Sequence, residues 1–424
     1  MNPRLLEPRQ FFSRATRPAR GRGVLLVALL ACGVIGSVLS QTTANAADPQ
    51  RAIVAESESF AGRLVGAESG AEWKLRFAVD GDTREVPAAD LILWGGFVEP
   101  ARGIHVLLAG GIVVASAVRI EADHLEIDSD PLGRLSIPLD AIVGVLYKPP
   151  LDRARRDLLV ARAFTATAER DRVLLDNGDE LLGTIAGLSP GSVRFDGEAG
   201  KVDVETARLT AVFFNPTLLG RRSSSGLRVV VGLADGSRLS TMATTSDQSN
   251  LSLKLTGGGE ARVPLDAVVA LQSLGGRAVY LSALNPLSYR HLPFLQLTWP
   301  LAVDRSVLGG LLRVGRTVYL KGLGMHSPAR ATYELSGNER RFESEVAIDA
   351  ESGDRGSVVF RVFLDGGDGT WREGGATEIR RGGEPPATLA VELAGAKRIS
   401  LLVDFADHGD ELDHADWLNA RLVK

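Results

Sequence analysis

Five aspartates recur near the C-terminus at intervals of three: Asp404, Asp407, Asp410, Asp413 and Asp416, with Gly409 among them. Oxygen ligands at that spacing on a turn-rich loop could surround a hard cation such as Ca2+, with Asp410, Asp413 and Asp416 as the ligand set. The loop does not follow the EF-hand pattern, and the competing reading is a solvated loop whose aspartates cap turns. His326 follows Gly322 and Gly324, whose missing Cβ lets the backbone turn sharply or approach another strand. Its imidazole could donate to a ligand hydroxyl or bond a neighbouring carbonyl, with Arg330 the next polar candidate. Trp371 lies on the Gly-rich stretch Gly369-Thr370-Trp371-Arg372-Glu373, where an exposed indole could stack on the C–H face of a sugar ring. Trp417, beside apolar positions, reads as core.

Covalent chemistry finds little support. Glycosidic hydrolysis needs two convergent carboxylates, and ester hydrolysis needs an activated nucleophile with its base. With 52 acidic residues a pair of carboxylates is certain and uninformative. No Gly-x-Ser-x-Gly stretch reads as a nucleophile elbow, and neither His-Glu-x-x-His nor a phosphate-cradling Gly-x-x-x-x-Gly-Lys-Ser/Thr loop occurs. Of the six histidines, His105 and His124 sit in strand-like segments. A non-enzyme is the expectation.

The elements that must position these residues span 424 residues, enough for two to four domains, with 45% hydrophobic and 24% charged residues as in ordinary globular proteins. The 47 glycines favour short strands joined by tight turns. Six arginines before residue 23, an uncharged apolar run over 23–39 and Ala44-Asn45-Ala46 predict a cleaved secretory signal over 1–47. An apolar run of that length is short for a membrane span. Export to the periplasm or beyond follows, with no membrane span after cleavage. Removal of six Arg and one Glu takes the net charge from −4 to −9, which disfavours nucleic acid as a partner. Cys32, the single cysteine, lies inside the apolar run, so the mature chain has no disulfide, and lipidation of Cys32 is the alternative to cleavage at the Ala-x-Ala site.

From about residue 60 to 273 the chain repeats itself. The clearest unit runs from Arg172-Val173-Leu174-Leu175 through Asn177-Gly178 to Leu209–Phe214, and the same order recurs over 227–271, 104–146 and, more weakly, 62–97. Each copy predicts about five short alternating strands joined by Gly or Asp-Gly turns. Such a series closes most easily into a small bent barrel, similar in topology to the Sm-like or SH3-like barrels. Residues 152–170 mix Arg, Asp, Ala and Leu at helical spacing. The predicted organisation is a signal over 1–47, two barrel-like repeats over 48–150, a connecting helix over 151–171, a third repeat over 172–220, a fourth over 221–276, and a C-terminal domain over 277–424. Arg221-Arg222-Ser223-Ser224-Ser225 reads as a linker.

That last segment resembles a known family. Lys321-Gly322-Leu323-Gly324-Met325-His326-Ser327, then Arg341-Phe342-Glu343-Ser344-Glu345-Val346-Ala347-Ile348-Asp349, then Gly356–Gly366, then Asp413-His414-Ala415-Asp416-Trp417-Leu418-Asn419-Ala420-Arg421-Leu422 match the NPCBM carbohydrate-binding modules in order and spacing. The resemblance implies a galactose-binding-like, jelly-roll β-sandwich that binds carbohydrate without catalysis, in a chain that is mostly β. Because modules of this fold can carry a structural calcium ion, it also favours Asp410, Asp413 and Asp416 as a bracing site. The stretch Gly366-Gly367-Asp368-Gly369-Thr370-Trp371 departs from the simpler turn usual after this strand, so the sugar preference does not carry over. Two function classes follow: an exported glycan-binding protein whose repeats dock or display it, or a structural component of a bacterial envelope that uses both domain types for protein contacts.

Overall fold

A computed structural model describes residues 50–424 apart from 56, 166–168, 199, 221–225 and 294–295. The predicted signal, Cys32 and the serine-rich linker lie outside the described residues. Each of the four repeats is an antiparallel meander in which the first strand pairs with the second and the fifth, the second strand of the second copy being broken into Gly111–Ala115 and Ala117–Glu121. In the first copy Gln50–Val54 pairs with Phe60–Ser69 and Leu91–Gly95, and Trp73–Val79 and Asp82–Pro87 extend the ribbon. The fourth copy repeats this with Arg228–Leu233 between Arg238–Ser246 and Val268–Leu274. Asp80-Gly81 and Gly236 take the left-handed backbone conformations that tight hairpins need. Pro138-Leu139-Asp140-Ala141 and Pro264-Leu265-Asp266-Ala267 both form a 3-10 turn before the fifth strand, a second signature of the duplication.

The predicted barrels do not close. The fifth strand of the second copy, Ile142–Leu146, pairs with its own first strand Ile104–Leu108 and also with Leu209–Phe213 of the third copy. The fifth strands of the first and fourth copies pair with each other, and Gly111–Ala115 joins Arg238–Leu239. Exposed strand edges are therefore satisfied by a neighbouring copy rather than by closure, and 18 strands share one sheet. Two glycines permit the crossings. A Cβ on Gly95 would sit 2.0 Å from the Val269 carbonyl oxygen, and one on Gly111 would sit 1.9 Å from that of Arg238. The helix Arg153–Thr165 lies where helical spacing predicted it, started by Asp152, whose carboxylate accepts from the Arg155 N–H at 2.8 Å.

The C-terminal part is a β-sandwich. One sheet runs Ala302–Val303, Gly322–His326, His414–Val423, Arg341–Ile348, Ala387–Glu392, with Ala278–Tyr280 beside His414–Val423. The other runs Ser288–His291, Ala329–Glu334, Arg398–Phe405, Ser357–Asp365, Trp371–Ala376. Every pairing is antiparallel, and alternate residues of both sheets meet in one apolar core that includes Phe342, Val346, Tyr333, Phe360 and Trp417. Trp417 is 0% exposed and packs edge-on against Phe360, with ring centroids 5.1 Å apart. It is core, as its setting in the sequence implied.

The sandwich meets the repeats through polar groups as well as apolar ones. Arg313, 1% exposed, donates through Nε to Glu99 and through Nη1 to Asp157, while its backbone N–H reaches Asp349 at 3.1 Å. Gln272 of the fourth repeat donates to Asn419 (2.9 Å) and to the Tyr280 hydroxyl (3.0 Å). Two predictions follow. Trp417→Ala should cost about 3–5 kcal/mol in chemical denaturation, as a large-to-small core change. Because the sandwich core draws only on its own strands, a 277–424 fragment should melt in one cooperative circular-dichroism transition. Folding that required residues 172–276 in addition would show that the two parts share a core.

Candidate functional site

At one end of the sandwich three histidines gather beneath an indole. His326 ends its strand opposite His414 in register, and His291 ends the neighbouring strand of the other sheet. All three are buried. Trp299 comes from the extended entry segment, held by the Tyr289 hydroxyl, which donates to its carbonyl at 3.1 Å. The Trp299 ring stacks on His326 with centroids 5.1 Å apart and planes within 6°, while His414 and His291 lie 5.5 and 5.7 Å from His326.

The hydrogen bonds fix two tautomers. The Trp299 N–H donates to His291 Nδ1 at 3.2 Å, so in the neutral ring the proton is on Nε2, which has no partner. His326 Nδ1 lies 2.9 Å from the Ser327 carbonyl, which can only accept, so His326 Nε2 is left as an acceptor. His414 Nδ1 is also unpartnered. Burial holds His326 below the ordinary imidazole value, and burial followed by the neighbouring His326 takes His414 down to about 4. At neutral pH His326 and His414 are uncharged donors and acceptors beside an indole, which suits a polar neutral ligand better than an anion.

Trp371 and Arg330 belong to a different surface. Trp371 opens its strand opposite Asp365, and the Arg330 guanidinium covers its ring at 4.5 Å from the centroid, with that of Arg398 at 5.8 Å. Arg330 Nε donates to Ser400 Oγ at 2.5 Å, which fixes the clamp. The indole is half-buried with a cation upon it, rather than a bare platform. Arg330 and Trp371 are thus brought together, whereas His326 ends a strand of the other sheet and stacks on Trp299 instead.

The aspartates separate as well. Asp413 accepts from Ser327 Oγ and from the Ser357 N–H at 2.7 Å, bracing the loop between the sheets. Asp416, fully buried three residues on, lies instead beside Asp349 and Glu351. Among the described residues no group of three His, Cys, Asp or Glu side chains stands in an arrangement that could hold a metal ion. Asp410, Asp413 and Asp416 therefore do not converge on one ion, because successive positions on a strand face opposite ways.

His291, His414 and Trp299 were not singled out as a site from the sequence. His414 was visible in the Asp413–Trp417 block, yet its pairing with His326 depends on the register of strands some ninety residues apart.

The two facing sheets thus carry a polar aromatic cluster at one end. Residues 277–423 match the NPCBM/NEW2 domain, and this part of the chain is an NPCBM domain. A protein of Renibacterium salmoninarum provisionally named an endo-alpha-N-acetylgalactosaminidase is 29% identical over 115 residues, 27% of this chain and 7% of that protein. The chain thus spans a small fraction of that relative's length. Among solved structures, the CBM51-2 and INT domains of Clostridium perfringens ZmpB are 26% identical over 47% of this chain and 38% of that one, with a TM-score of 0.32. The CBM51 module of Clostridium perfringens GH95 in complex with methyl-galactose is 23% identical over 34% of this chain and 99% of that one, with a TM-score of 0.31.

Two titrations at this end oppose each other. Burial first, against the bonds from Ser327 and Ser357, raises Asp413 to about 6. Between its unfolded value near 4 and about 6 the folded state holds the extra proton, so this contribution falls as pH rises. His414, lowered to about 4, works the other way: below about 6.5 the unfolded state holds the extra proton, so its contribution rises with pH. The pair should nearly cancel in the wild type between about pH 4 and 6.5. Relative to wild type, Asp413→Asn should gain stability with rising pH over that window and His414→Gln should lose it, by roughly 1–3 kcal/mol. Urea denaturation at four pH values reads both difference slopes, and parallel curves would refute the assignment.

Proposed function

We propose that this chain is an exported, non-catalytic glycan-binding protein. Its NPCBM domain takes a neutral sugar at the His291–Trp299–His326–His414 cluster, and its repeats serve as a docking or display platform. The observation that carries the reading is the set of ring nitrogens: an unpartnered, buried N–H on His291 and the acceptor left on His326 match a hydroxyl group, which both donates and accepts. Trp299 supplies the apolar face such a ligand needs, and the anchoring of Trp299 and His291 to each other limits the ordering cost of binding. The domain match and the hydrolase-named relative both lie in carbohydrate biology. No helix among the described residues is long and apolar enough to cross a membrane, which accords with a protein acting outside it.

Trp371 and Arg330 enter the proposal as a second contact for a longer glycan, on the outer face of the other sheet. Binding should be weak, millimolar to micromolar or about −4 to −8 kcal/mol, because sugar hydroxyls exchange water for protein partners. A glycan array followed by calorimetry with the chain from residue 48 tests this. Trp299→Ala and His326→Ala should each weaken a monosaccharide by roughly tenfold or more, whereas Trp371→Ala should weaken only an extended oligosaccharide. Loss of monosaccharide binding in Trp371→Ala with Trp299→Ala unaffected would move the site to the Trp371 face. No binding across the array would favour an envelope scaffold instead.

A further inference from the structure

Away from the sandwich end, a cavity of about 270 Å3 opens between the second and fourth repeats, the helix Arg153–Thr165 and the 304–320 segment of the C-terminal domain. Its walls are largely apolar, with Leu107, Ile112, Val160, Val230, Leu311 and Leu320 among them. Phe164 lines it while remaining 47% exposed, so the cavity reaches the surface there. Among the described residues two arginines of the lining, Arg238 and Arg305, have no carboxylate partner. Arg305 donates to the Gly309 carbonyl at 3.2 Å, whereas Arg238 shows no side-chain hydrogen bond among those residues and its Nη1 is shielded from water without a partner.

The neighbouring charges leave that guanidinium in surplus. Glu99 and Asp157 are the carboxylates nearest in charge to it, and both are taken. Glu99 accepts from Arg313 and from Arg156 Nη2 at 2.6 Å, and Asp157 accepts from Arg313 and the Leu311 N–H. Asp304, also in the lining, is paired with Lys321. Three arginines, 156, 238 and 313, thus face two carboxylates. Burial raises Asp349 and Glu351, near Arg313, above the ordinary carboxylate range. Burial lowers the His105 imidazole, and its Nδ1 is unpartnered. Arg238 as a whole is half-buried; a guanidinium keeps its charge, and shielding part of it from water without a counter-charge is costly.

We propose that this cavity is a binding site for a small amphiphilic monocarboxylate, with the carboxylate paired to Arg238 and the apolar chain lying along Val160, Leu311 and Leu320. The Arg238 guanidinium, which has no hydrogen-bond partner among the described residues, matches one carboxylate through two parallel N–H···O bonds. The volume holds about nine waters, or about as many non-hydrogen atoms, which is the size of an eight-carbon acid. Inorganic phosphate would gain nothing from the mostly apolar walls beyond the arginines. The site is remote in sequence from the histidine cluster and stands independently of the sugar reading.

Octanoate is the probe, titrated calorimetrically into the chain from residue 48, with octanol and inorganic phosphate as controls. Saturable octanoate binding and a rise in melting temperature are expected, with octanol and phosphate at least roughly tenfold weaker. Arg238→Met should lose at least roughly tenfold in octanoate affinity while melting higher than wild type without ligand, since it removes a partly shielded charge that has no counter-charge. Val160→Trp, which fills the cavity and keeps Arg238, should also abolish binding, and it decides the matter if Arg238→Met does not fold. Absence of saturable octanoate binding, undiminished binding by either variant, or equal binding of phosphate would overturn the proposal.

Discussion

The burial of Arg313 constrains the chain more than any other contact. A guanidinium does not give up its proton, so a buried one needs carboxylates around it. Glu99 and Asp157 lie 214 and 156 residues away in sequence, one between the first two repeats and one on the helix. Burial alone would lower the Arg313 pKa, but the hydrogen bonds and charges of those two carboxylates more than reverse this and raise it above the ordinary arginine value. One side chain of the sandwich thus fixes the helix and the segment joining the repeats. Removing either carboxylate would strand a buried charge at a cost of about 3–5 kcal/mol.

The same contact explains how the Asp413–Trp417 block divides its work. Along one strand, alternate residues face opposite ways. Ala415 and Trp417 enter the sandwich core. Asp416 lies beside Asp349, whose two oxygens accept from the Arg313 and Glu351 N–H groups, and burial followed by the proximity of Asp349 holds Asp416 well above the ordinary carboxylate range. Asp413, at the strand's start, is consumed by Ser327 and Ser357. A cation site would require Asp413 and Asp416 to share a face and remain open to an ion, and neither condition holds.

Much of the fold was legible because it is encoded locally. Asp80-Gly81, Asn177-Gly178 and Asp235-Gly236 mark hairpins, the two Pro-Leu-Asp-Ala turns mark the duplication, and alternation in segments such as Arg398–Phe405 marks half-buried strands. What remained hidden depends on pairing between distant segments. Nothing local in Ile142–Leu146 says that its free edge meets Leu209–Phe213, so a closed barrel was the economical expectation. Trp371 has the loop setting of an open platform, but the cation covering it comes from Arg330 on a strand that is not its neighbour in the sheet.

The histidine cluster shows why a site can escape sequence reading while its scaffold does not. Its donors come from three strands of two sheets, and its indole comes from a segment of irregular backbone, so no spacing rule connects them. Tyr289 and His291 nevertheless fix Trp299 from the same entry segment, ten and eight residues away. The indole is therefore positioned by local bonds, and the imidazoles by the register of His326 against His414. A site assembled in that way needs little ordering when a ligand arrives, so a few neutral hydrogen bonds and one aromatic face can yield measurable affinity. The cost falls on the unliganded protein, which keeps the ring nitrogens of His291 and His414 buried without partners.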